Sequence, residues 1–224
     1  MHLHWVLGLP GAGKTTCILA VRSGLPRMTE VAWTADDMGT EERRAEMGKA
    51  TIHFTATDGY SIVLLGRFEG AKAERTPELV GTDCYTSRQR NTVKALLGEL
   101  ASRGKTTHVI LEGLILLNNK PLRTRVSDVF ASVTSYVLGV DRGLCQTRFR
   151  ERNEDMVGRG DLKFYPTKFN HEETWDRIQQ RMDDWRATPG VTTADYPDSD
   201  AASAALLAAL RLPTLRRSKR LRVN

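Results

Sequence analysis

The chain has 224 residues, 40% of them hydrophobic, which is enough for one domain with a full core. Cys17, Cys84 and Cys145 are odd in number and far apart, which argues against a disulfide framework or a cysteine metal cage and points to a reducing compartment. The whole net charge of +6 resides in Arg211, Arg216, Arg217, Lys219, Arg220 and Arg222, so a neutral body precedes a basic tail.

The first predicted strand, about 4–8, is cut short by Gly8 and Pro10 and does not read as a signal peptide. No run nears the ~20 apolar residues of a membrane span, so the expectation is a soluble, cytoplasmic protein with no membrane role. A helix is predicted over about 13–23, then a second strand over 30–37 ending in Asp36 and Asp37, then a helix at "EERRAEMGK". Residues 51–68 alternate about Asp58-Gly59, the dipeptide favoured in a type I′ turn, and read as an antiparallel hairpin inserted into a parallel pattern. "RQRNTVKALLGELASRG" is an amphipathic helix stopped by Gly104. Continuous apolar runs predict strands at 107–114 and 132–141. A charged helix at 143–153, a helix at 171–185 and a short strand at "GVTTADY" follow. The last helix has Asp198, Ser199 or Asp200 as its cap. This alternation predicts an α/β fold of three layers, a mainly parallel sheet with helices on both faces.

Gly8-Leu9-Pro10-Gly11-Ala12-Gly13-Lys14-Thr15 matches G-x-x-x-x-G-K-[ST] in full, with a strand before it and a helix after. Glycines let backbone N–H groups converge on phosphate oxygens, and the helix N-terminus adds a favourable field. The expected phosphate contacts run from Gly8 through Thr16. Lys14 reaches the β- and γ-phosphates, and Thr15 ligates Mg²⁺. ATP and Mg²⁺ are the expected cofactors.

The remaining candidates each have a plainer alternative. Asp36 and Asp37 end the predicted second strand, where a carboxylate takes the proton of an attacking hydroxyl; the alternative is a helix N-cap. Glu112 ends the central strand and suits Mg²⁺ or its water; the alternative is a structural carboxylate. Asp83, in "GTDCYTSRQR", is a second candidate for the acceptor side, or an ordinary loop residue. Arg148 and Arg152 lie four apart on one helical face and suit the charge of a transferring phosphoryl group. The alternative is a solvated helix pairing arginine with Glu151, Glu154 and Asp155. The basic tail suits DNA phosphates, or is a solvated terminus.

The chain resembles the small P-loop kinases in its loop at 8–15, its acid-ended second strand and its arginine-rich helix. "TADDMG" is similar to the acid pair of the polynucleotide kinase group, which implies Asp36 as base, although Gly39 stands where that group has arginine. "VLLGRFEG", "GTDCYTSRQ" and "VILEGLILLNN" resemble the phage P-loop kinases similar to thymidylate kinases, a group that includes the 5-hydroxymethyluracil DNA kinases. The resemblance implies a kinase domain over 1–212 with a lid near 142–165, a tail at 213–224 and Asp83 near the acceptor. It also implies a DNA substrate and, for a phage protein, the host cytoplasm. A nucleoside or nucleotide kinase on free substrates and a nucleic-acid-binding ATPase are the competing readings.

Overall fold

The computed structural model describes residues 1–34, 51–66, 68, 87–114, 117, 129–158 and 171–210. In chain order these form β1 (His2–Gly8), α1 (Lys14–Gly24), β2 (Met28–Thr34), β3 (Thr51–Thr57), β4 (Ile62–Leu65), α2 (Ser87–Arg103) and β5 (His108–Glu112). There follow β6 (Ser132–Leu138), α3 (Arg142–Gly158), α4 (Glu172–Arg186), β7 (Val191–Tyr196) and α5 (Ser199–Leu210).

The strands make one seven-stranded sheet in the order β2-β3-β4-β5-β1-β6-β7. From β4 to β7 every neighbouring pair is parallel, and β3 alone is reversed, pairing antiparallel with both β2 and β4. The predicted three-layer α/β class is the observed one. β1 lies inside the parallel set and buries all but His2 of its seven residues. A parallel strand covered on both faces must read as a nearly unbroken apolar run, and "LHWVL" and "VIL" do so.

Two expectations about the hairpin are corrected. β2 is not the second parallel strand, because its ladder is with β3 and it stands at the edge of the sheet. Between β5 and β2 stand β4 and β3, the two arms of the hairpin, so β3 is the expected antiparallel insertion into an otherwise parallel pattern, and β4 is the arm that pairs parallel with β5. Local alternation reports a hairpin but not which arm finds a parallel partner. The turn is also longer than the two residues of type I′, since Ala56 pairs with Val63. The Thr57 hydroxyl causes this: it accepts the Ile62 N–H at 3.0 Å and bonds the Ser61 hydroxyl at 2.9 Å, satisfying the backbone with a side chain.

Register divides the central strands into two faces. Leu3, Trp5 and Leu7 point to one, with Ser135 beside Trp5. There the Trp5 and Trp185 rings meet edge-on with centroids 4.8 Å apart. Both buried indoles have acceptors, the Gly113 carbonyl for Trp5 and the Ser135 hydroxyl for Trp185. Thus α4 covers this face, and α2 covers it nearer the edge, where the Trp33 indole donates to Glu99. The other face carries His2, His4 and Val6 and is covered by α1 and α5. These two helices approach closely: a Cβ on Gly24 would lie 2.8 Å from Leu207. The alanine-rich α5 permits this, and Asp198 caps it by accepting the Ala201 N–H at 2.8 Å.

Candidate active site

The turn between β1 and α1 lies at the C-terminal edge of the parallel strands, where ligands of such sheets bind. Its backbone requires glycine twice. Gly13, at the N-cap of α1, is left-handed with φ 94° and ψ 20°. Gly11 has φ 87°, and a Cβ there would sit 2.4 Å from the Cys145 carbonyl oxygen. The Ala12 N–H donates to the Leu9 carbonyl at 3.1 Å and the Cys17 N–H to Gly13 at 2.9 Å, so the turn runs straight into the helix. The first N–H groups of α1 have no partner of their own within the helix, and they carry its positive end.

Lys14 is buried, and its ammonium curls back over the turn, donating to the Gly8 carbonyl at 3.0 Å and the Leu9 carbonyl at 3.2 Å. One residue on, the Thr15 hydroxyl meets the Glu112 carboxylate at 3.2 and 3.4 Å. These two residues are 97 positions apart in sequence. The pairing of β1 with β5 joins them: Val6 sits opposite Glu112, and the Gly113 N–H donates to the Val6 carbonyl at 3.1 Å. Glu112 is 4% exposed. Its charge, after burial itself, helps push the Cys17 thiol up to about 12.

A threonine hydroxyl and a carboxylate are hard oxygen donors, and together they suit Mg²⁺, which binds through one or two carboxylates and completes its shell with water and phosphate oxygens. Among the described residues no cluster of three or more His, Cys, Asp or Glu side chains is placed to hold a metal ion. Two protein oxygens suit a cation that completes its shell with water and phosphate oxygens.

The third wall is α3. Asp141 caps it by accepting the Leu144 N–H at 2.9 Å. Burial raises the Cys145 thiol, while the positive charges of Lys14 and Arg148 act in the opposite sense. The Cys145 carbonyl lies against Gly11 of the turn, and Arg148, three residues further along α3, is exposed. Arg152 lays its guanidinium over the Phe149 ring at 4.9 Å, and Phe149 meets Trp175 of α4 edge-on. Arg142 pairs with Glu172 and Asp176 of α4, across helices rather than with acids of its own helix.

Lys14 and Thr15 of α1, Glu112 of β5 and the first turns of α3, which carry Arg148 one turn on, thus come from three different elements to one edge. Asp36, Asp37, Asp83, Arg159 and the basic tail lie outside the described residues. β2 ends at Thr34, four strand positions from β1, which is roughly 19 Å at ~4.8 Å per strand. α2 begins at the same edge, where the Gln89 amide donates to the carbonyl of Thr51, the residue opposite Thr34. Sequence reasoning missed the Cys145 carbonyl against Gly11. It also missed Ser199, whose Cβ lies 3.6 Å from where a Gly13 Cβ would be. Neither has a local signal, because both contacts arise from packing of α3 and α5 on the turn.

No family model matches the chain, and no curated protein matches it. Among solved structures it is similar to an unliganded sugar kinase from Janibacter, with 16% identity over 93% of this chain and 91% of that one, TM-score 0.40. It is also similar to a gluconokinase from Sinorhizobium meliloti, with 15% identity over 93% of each chain, TM-score 0.40. Among the described residues no helix is long and apolar enough to cross a membrane.

Proposed function

We propose that the protein is an ATP-dependent phosphotransferase with a hydroxyl acceptor. The observation that carries this reading is the contact of Thr15 with Glu112 next to a turn over which Lys14 folds and whose Gly11 and Gly13 have positive φ. The turn and the first N–H groups of α1 bind the β- and γ-phosphates, and Lys14 neutralises them. A Mg²⁺ held by Thr15 and Glu112, when bound, offsets the phosphate charge. The acceptor oxygen bonds to the γ-phosphorus as the bond to the bridging oxygen breaks, and ADP leaves. The acceptor proton goes to a carboxylate, Asp83 or Asp36. Arg148 and Arg152 offset charge on the transferring group.

For the acceptor we infer the hydroxymethyl group of 5-hydroxymethyluracil in DNA. Its support is the resemblance of three segments and the acid-free stretch 211–224 with six bases. Labelled phosphate from γ-labelled ATP is followed into DNA with and without that base and into free nucleosides, nucleotides and sugars. Label on the modified DNA alone is expected. Label on a free small molecule alone overturns the DNA reading and leaves the phosphotransferase standing. Phosphate release with no labelled acceptor overturns both. Asp83→Asn and Asp36→Asn then identify the base: the essential one lowers turnover about 10²-fold or more with ATP affinity kept.

A further inference from the structure

The first turn of α3 is fastened to the first turn of α4 through side chains that no phosphate-site motif contains. Arg142 donates to the Asp176 carboxylate at 2.7 Å, to the Glu172 carbonyl at 3.1 Å and to the Glu172 carboxylate. The Gln146 amide donates to the other Glu172 oxygen at 3.0 Å, so Glu172 ties two successive positions of one helical face. Between them in sequence stands Cys145, less than a turn from Arg142. It is wholly buried, and its carbonyl is where the α3 backbone touches Gly11. Three residues further, just under one helical turn from Cys145, is the exposed Arg148.

We propose that Arg142 is a positioning residue. Through Glu172 and Asp176 it sets the seat of α3 on α4, and thereby the contact of Cys145 with the phosphate turn and the reach of Arg148 over it. This rests on the phosphotransferase reading for its kinetic consequence, but not for its geometry. Arg142 is at the surface, where an ion pair adds little to global stability. A helix seat that shifts by about an ångström costs far more in a reaction that depends on alignment. A positioning role therefore separates from a merely structural one by its large effect on turnover beside a small effect on melting.

Four variants test it: Arg142→Ala, Arg142→Lys, Arg148→Ala and the double variant Arg142→Ala/Arg148→Ala. Arg177→Ala is the control, since Arg177 contacts Glu173 and Thr174 of its own helix. Arg142→Ala is expected to lower kcat about tenfold or more with a smaller change in the KM for ATP, and Arg142→Lys to recover most of it. In the Arg148→Ala background the same change is expected to cost less than threefold, because its effect passes through Arg148. Independently of any activity, N-ethylmaleimide labelling of the intact protein, read peptide by peptide, is expected to rise at Cys145 in Arg142→Ala and not at Cys17. Full additivity of the two arginine changes, or Cys145 protected as in wild type, overturns the proposal. A wild type that transfers no phosphate overturns the phosphotransferase reading instead, and the labelling still decides the seat of α3.

Discussion

β1 and β5 carry a polar cluster at each end, on the same face of the sheet. At the C-terminal end Glu112 faces Thr15, with Lys14 folded over the turn. At the N-terminal end His4 Nε2 bonds His108 Nδ1 at 2.9 Å, and His4 Nδ1 bonds the Tyr136 hydroxyl at 3.1 Å. Ser132 bonds His2 at 2.7 Å, and the His2 ring stacks on His108. Both clusters contain buried titratable groups, Lys14 and Glu112 at one end and His4 and His108 at the other. The histidine cluster closes on itself: a neutral His4 has one donor and one acceptor, and each meets a partner. At the other end the Lys14 ammonium lies on the carbonyls of the glycine turn, and the Thr15 hydroxyl of α1 meets the Glu112 carboxylate of β5. Burial and titratable residues alone do not separate a site from a core network. The difference lies in the setting, since one cluster adjoins a left-handed glycine turn at a helix N-terminus and the other does not.

If that contrast is right, damage at one end should cost activity and leave stability, and damage at the other should do the reverse. The largest effect is expected for Lys14→Ala, which should lower transfer by at least roughly 10³-fold. Thermal melting without nucleotide should change by no more than about 2–4 °C. A clear loss of melting temperature with transfer kept would place Lys14 in the core network instead.

Next is the acid behaviour of the histidine end. Burial, then the charges of His108 and His2, lowers His4 from 6.5 to about 4, and burial also lowers His108. The unfolded chain then binds more protons than the folded one between these values. Stability is complete above pH 6.5 and is lost as pH falls towards 4, by up to roughly 3 kcal/mol for His4. Urea unfolding measured from pH 7.5 to 4.5 should show this slope in wild type and a flatter one in His4→Gln. Transfer at pH 7.5 by folded His4→Gln should match wild type. An equal slope in both proteins, or inactive but stable His4→Gln, would break the contrast.

The smallest effect expected is in the metal requirement. Glu112→Gln keeps the shape and hydrogen bonding of the side chain and removes its charge. The Mg²⁺ concentration for half-maximal transfer should rise about 10- to 100-fold, with melting nearly unchanged. A wild-type Mg²⁺ profile would leave Glu112 as a structural carboxylate.

The phosphate turn was legible because its chemistry is local. Glycines with the right spacing, a strand before and a helix after are all within twenty residues, and backbone conformation there follows from the residues themselves. The end of β5 was legible for a similar reason, since a continuous apolar run ended by Glu112 reads as a buried strand with an acid at its tip. The alternation of strands and helices likewise fixed the three layers, because apolar periodicity is a property of each segment alone. What only the tertiary structure decided is pairing. Whether 30–34 or 62–65 is the strand beside β5 depends on which backbone completes which ladder, although 62–65 is apolar throughout and 30–34 is not. The meeting of Thr15 with Glu112, of Gly11 with Cys145 and of Arg142 with Glu172 depends on residues 30 to 134 positions apart. No local propensity encodes such contacts; they exist because burying the apolar faces of the sheet and helices together leaves these polar groups at one edge.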